Sequence, residues 1–115
     1  MNNMKNNLLV LFTIISVSCI GKIDCKKDTE FMANEECNIV VTSLPTTYSS
    51  FKVKGYSPLT RESIKYETSD RFWQLYTNEI SIGDTLVKNK GSLVFSIHKK
   101  DTIINHTYKC YSEND

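Results

Sequence analysis

This 115-residue sequence is short of the residues that punctuate a chain: it has four glycines, two prolines and a single tryptophan. It has no excess of either charge. Lysine and arginine number 14 against 13 aspartates and glutamates, a formal net charge of +1, which gives no electrostatic case for a nucleic-acid partner. No basic block marks a binding helix for anionic lipid. No stretch approaches the roughly 20 apolar residues that span a bilayer. The chain also lacks a P-loop, a G-x-G-x-x-G turn, an H-E-x-x-H pair and a G-x-S-x-G elbow, so no catalytic signature is present. It has no C-x-x-C, and Cys25, Cys37, His98, His106 and Cys110 are too scattered to read as a zinc set. Neither a metal nor a cofactor is expected.

What is present begins with an export signal. Lys5 gives a positive start and Leu8 to Val17 a short apolar core. Small residues then lead to Cys19, the composition of a cleaved leader and not of a fold. The run Ser16-Val17-Ser18-Cys19 resembles the lipobox of Gram-negative bacterial lipoproteins, although Ser16 and Ser18 stand where that family prefers Leu and Gly or Ala. The resemblance implies cleavage before Cys19 and a diacylglycerol on its thiol. It also implies an acyl chain such as palmitate on the new amine, and anchoring to a bacterial envelope membrane, the outer in preference to the inner. Ser16-x-Ser18 also fits an ordinary secretory cleavage site, in which case a Cys19–Cys25 bridge is open. Removing residues 1–18 takes one lysine and no acid, leaving 97 residues (19–115) and a side-chain balance of zero.

Residues 19–36 are polar and highly charged and read as a tether, with at most a short turn at Phe31-Met32-Ala33. The folded domain is expected over 37–115. An exported chain permits disulfides. Cys37 opens the first apolar strand and Cys110 closes the last, both on core-facing positions, so they are the expected pair, with Cys25 free in the tether.

Strand signals then follow in short runs. They fall at Asn38 to Leu44, Tyr48 to Lys54, Ser63 to Thr68 and Thr85 to Lys88. Arg71 to Thr77 reads as strand or helical turn. The C-terminal third is the most constrained. Ser92 to Lys99 and Thr102 to Cys110 sort their apolar residues onto one face only when position numbers sum to 201, pairing Phe95 with His106 and Ile97 with Ile104. Asn89-Lys90-Gly91 makes the preceding turn, with Leu86 or Val87 opposite Leu93. The expectation is an all-β antiparallel sandwich or partly open barrel with a C-terminal three-strand meander. Tyr48 to Lys54 is a candidate edge strand.

The segments Phe51–Pro58, Gly83–Gly91 and Ile97–Asp101, with the terminal Cys110, look like those of short uncharacterised exported proteins of Gram-negative bacteria. That likeness implies a compartment and an architecture and transfers no catalytic residue. Among side chains that carry chemistry, His98 reads as a solvated hairpin tip and His106 as a packed, hydrogen-bonded core histidine. Arg71, Trp73 and Tyr76 make a candidate binding surface, because Trp, Tyr and Arg are enriched at interface hot spots. The functional expectation is a non-enzymatic envelope lipoprotein that acts as a binding or structural module with an unknown protein partner. A small-ligand or carbohydrate binder using Trp73, and an immunity or inhibitor protein, are the alternatives.

Overall fold

The structure, a computed structural model, describes residues 24–111. The signal, the lipobox and Cys19 lie outside the described residues. Helix α1 (Cys25–Asn34) is followed by β1 (Cys37–Thr46), β2 (Phe51–Tyr56), β3 (Ser63–Thr68), a 3-10 helix (Trp73–Glu79), β4 (Thr85–Lys88), β5 (Val94–His98) and β6 (Ile103–Thr107). The strands form one open antiparallel sheet in the order β3-β2-β1-β4-β5-β6. The all-β antiparallel class is therefore found as a single sheet, with α1 and the 3-10 helix covering one face.

Alternation builds that face. Ile39 and Val41 of β1, Phe51 and Val53 of β2, Leu86 of β4, and Phe95 and Ile97 of β5 are all buried, each two residues from the next on its strand. Met32 of α1 and Trp73 of the 3-10 helix complete the same cluster. Trp73 stacks on Phe51 at 6.0 Å and meets Phe95 edge-on at 5.1 Å. Two aromatics of this size each remove roughly 150–250 Å2 from water, on the order of 4–6 kcal/mol each before ordering entropy. Gly55 is demanded by a close approach. A Cβ there would sit 1.8 Å from the Val40 carbonyl oxygen, just where the β1–β2 register shifts beyond Val41.

The meander β4-β5-β6 pairs as the hydrophobic sorting requires: Phe95 faces His106, Ile97 faces Ile104 and His98 faces Ile103. The turn glycine Gly91 has φ +90°, a conformation that suits glycine. The β4 register differs from expectation. Leu86 faces Ile97 and Lys88 faces Phe95, so neither Leu86 nor Val87 opposes Leu93; the connection 89–93 is longer than a three-residue hairpin loop. The segment from Arg71 resolves as 3-10 helix. The candidate edge strand lies inside the sheet, β2 being flanked by β1 and β3, and the true edges are β3 and β6.

Two expectations about the N-terminal part are corrected. The disulfide joins Cys25 to Cys110, and Cys37 is a buried free thiol. Cys37 and Cys110 do share the core-facing parity, but β4 and β5 separate β1 from β6. Three strand spacings are roughly 14 Å, far beyond the reach of a disulfide. Cys110 also lies past the end of β6, where strand parity no longer decides direction. Residues 25–36 are accordingly part of the domain and not a tether. Asp24 caps α1 by accepting from the Lys27 backbone N–H at 3.2 Å, Met32 is buried, and the Gly91 N–H donates to the Ala33 carbonyl at 2.6 Å.

Candidate functional site

The helix α1 has no basic residue in its last turn, although its end exposes carbonyls that favour a cation. Lys88 of β4 supplies one from across the fold. Its side chain is fully buried. Its Nζ donates to the carbonyls of Ala33 at 3.2 Å, Glu35 at 2.9 Å and Asn89 at 2.9 Å, which uses all three ammonium hydrogens. The Phe95 ring lies 5.5 Å from the same nitrogen. Burial pushes the Lys88 pKa down, opposed by the nearby Glu35 and Asp70 carboxylates. With no donor left over, this ammonium is a clamp on the helix end.

Beside it runs a polar strip. Glu35 accepts from the Tyr66 hydroxyl at 3.1 Å and from Thr68 at 2.8 Å. Asp70 also contacts the Thr68 hydroxyl, at 2.6 Å, and accepts from the Phe72 backbone N–H at 2.9 Å. Asp70 thereby sets the turn from β3 into the 3-10 helix. Burial, reinforced by the Cys37, Glu35 and Asp70 charges, pushes the Tyr66 phenol well up, and burial with the Glu35 charge does the same to the Cys37 thiol.

The turn set by Asp70 forms one wall of an open groove of about 660 Å3. The 69–72 turn and the start of the 3-10 helix contribute Arg71, Leu75 and Tyr76; α1 contributes Asp28 and Phe31; the segment after β6 contributes Tyr108, Lys109 and Tyr111. Phe31 is 52% exposed, Leu75 68% and Tyr111 75%, and these three large apolar or aromatic side chains converge on one concavity. Phe72 forms the floor, touching Tyr76 at 5.3 Å, Tyr108 at 5.6 Å and Phe95 at 4.6 Å between ring centres. Burial raises the Tyr108 pKa, with Asp28 and Asp70 adding to it, so this hydroxyl is a neutral donor at the groove wall.

The expected binding trio is thus divided. Arg71 and Tyr76 line the groove. Trp73 is fully buried, and its indole Nε1 has no hydrogen-bond partner among the described residues. The 3-10 turn carries Trp73 to the opposite side from Leu75, so Trp73 is core and offers no platform to a sugar. Phe31 and Tyr111 carry no such signal in the sequence, for related reasons. Phe31 sits in a stretch that reads as tether, and Tyr111 follows the last strand. The readable signal was Asp24, a helix cap placed before Phe31-Met32.

The histidines occupy other positions. His106 contacts Glu79 Oε2 through Nε2 at 2.6 Å and stacks on Tyr76 at 3.5 Å, so the ring is packed and hydrogen-bonded but half-buried on the edge strand and not in the core. His98 is half-buried at the end of β5. Lys99 pairs with the buried Asp84 at 2.5 Å, and Asp84 also accepts from the Ser81 N–H. No group of three or more His, Cys, Asp or Glu placed to hold a metal occurs among the described residues. No family model matches the chain, and neither a curated protein nor a solved structure is significantly similar to it.

Proposed function

We propose that this protein is a small cell-envelope lipoprotein, anchored through Cys19, that binds a protein partner in the groove between α1, the 3-10 helix and the segment after β6. The anchoring half of the reading rests on the signal and on the likeness of Ser16–Cys19 to a lipobox. The binding half rests on one observation: Phe31, Leu75 and Tyr111 stand exposed around a concavity that also holds Arg71 and Tyr76. Tyr and Arg over an apolar floor, with acid and base on the rim, is the composition of an interface centre. The reading is of a binder and not an enzyme, because the groove holds no nucleophile paired with a base.

The test is capture from envelope extracts with the full chain as bait, comparing Leu75→Asp and Tyr111→Ala with Thr85→Ala on the opposite sheet face. The expected result is one partner retained by wild type and Thr85→Ala and lost, by about tenfold or more, from both groove variants, since central aromatic anchors typically contribute 2 kcal/mol or more. Equal capture by all four proteins removes the groove from the function.

A further inference from the structure

The two edges of the sheet are built differently. The β3 edge carries Lys65 and Glu67, and Glu67 pairs with Lys52 at 3.8 Å on the next strand; charges of this kind discourage pairing with another chain. The β6 edge reads Ile103-Ile104-Asn105-His106-Thr107, without Lys, Arg, Asp, Glu or Pro. Its hydrogen-bond parity is fixed by the bonds that flank it. The Tyr108 N–H donates to Leu93, and the Lys99 N–H to the Thr102 carbonyl, so even-numbered residues face β5. The odd ones, Ile103, Asn105 and Thr107, turn their N–H and C=O outward. Among the described residues these groups have no partner.

We infer that β6 is a self-association edge, at which two copies of this chain join antiparallel about a two-fold axis through Asn105, making one sheet of the two. In that register Asn105 faces Asn105 and Ile103 faces Thr107, in both directions. Each outward N–H then meets an outward C=O, with two bonds at every such position. The register is self-complementary, as an isologous interface requires. Side chains agree with it. Asn105 accepts from Ser96 at 2.5 Å through Oδ1, which leaves its amide NH2 to reach the second copy. Ile103, 54% exposed, would pack beside the Thr107 methyl. The match of this two-fold register to the strand's own side chains, Asn105 on Asn105 and Ile103 on Thr107, selects a second copy over an unrelated extended peptide. Thr107 also borders the groove, but the inference draws on the β6 edge backbone and not on the function proposed above.

The test uses the full chain in mild detergent. In an antiparallel hydrogen-bonded pair the Cα atoms lie about 5.5 Å apart, within the disulfide range. Asn105→Cys is therefore expected to give a reducible covalent dimer on mild oxidation, while Lys65→Cys on the β3 edge gives none. Equal cross-linking of the two variants, or none from Asn105→Cys, overturns the inference. Sedimentation supplies a second readout: wild type dimerises, and Asn105→Lys raises the dissociation constant by about tenfold or more, with an unchanged circular dichroism spectrum. A wild-type chain that stays monomeric at about 100 μM, a concentration that populates even weak dimers, also overturns it.

Discussion

Lys88 is the residue on which the junction of helix and sheet turns. Its ammonium sits fully buried among three carbonyls. Two effects compete in its removal. Methionine in its place would fill similar space and relieve the desolvation of a charge, but it would take a donor from three carbonyls. Ala33 keeps the Gly91 N–H and Asn89 is exposed to water, so the Glu35 carbonyl is the one left without a partner, at about 1–3 kcal/mol. Lys88→Met is expected to lower stability by about 1–2 kcal/mol, read as a lower urea midpoint. Faster amide exchange over residues 25–36 should accompany it, since α1 loses its clamp. A midpoint at or above wild type would show the clamp to be dispensable.

The same strip predicts alkaline lability. Burial raises the Cys37 thiol above its ordinary 9.0 and the Tyr66 phenol above its ordinary 10.0, so the native state favours both neutral forms. Their contribution is complete below those values and falls as pH climbs past them. Lys88 acts oppositely: its pKa is lowered from 10.5, so its contribution rises with pH up to that value. Two groups oppose one, and above 10.5 only the losses remain. Stability should fall by up to about 1.4 kcal/mol per pH unit for Cys37, and by less for the half-buried Tyr66. Urea midpoints followed from about pH 8 to about pH 11 should decline more gently in Cys37→Ala and in Tyr66→Phe. Identical slopes in all three proteins would remove these groups as the cause.

At the scale of elements, α1 is held by Lys88 at its C-terminal end and by the Cys25–Cys110 bridge at its first residue. The bridge spans a sequence separation of 85 residues, and closing a loop of that length stabilises by about 4 kcal/mol on loop-entropy grounds. It also ties two walls of the groove, since Phe31 and Tyr111 lie on the segments it joins. The double variant Cys25→Ser, Cys110→Ser is expected to lose about 2–5 kcal/mol. It should lose partner capture in the same experiment that tests Leu75→Asp, while strand signals in the circular dichroism persist. Capture at wild-type strength would mean that the groove forms without α1 fixed.

The meander was legible in the sequence because apolar residues on β5 and β6 admit one register, and the sum of 201 holds at every pair from Val94–Thr107 to His98–Ile103. The disulfide was not, because the partner of Cys110 depends on strand order, which local pattern does not encode. The helix was hidden by its own composition. Eight of the residues 22–36 are charged, four of them within the helix, and only Met32 is buried within it, so amphipathic periodicity is faint and its hold on the sheet comes from distant residues. Arg71 and Tyr76, picked out by hot-spot composition, line the groove. Trp73 misled for the same reason, since composition does not tell which side of a 3-10 turn faces the core.

For the whole molecule, folding of residues 24–36 bears on the proposed anchor. With Cys25 bonded into the domain, only positions 20–24 separate it from the proposed lipid on Cys19, and the six steps from Cys19 to Cys25 extend to at most about 22 Å. On the proposed anchoring, a domain held so closely would meet partners at the membrane surface and not across the envelope. Intact mass of protein purified from a bacterial envelope tests the anchor and the bridge together. The mass should begin at Cys19 and include acyl chains. Alkylation should add nothing to the native protein, because Cys37 is buried. It should add one group after denaturation without reductant, and three after reduction frees Cys25 and Cys110. A mass beginning at Cys19 without acyl chains, and with a second thiol labelled before reduction, would make the protein a secreted domain. The close tether, and the restriction to membrane-surface partners that follows from it, would fall with the anchor.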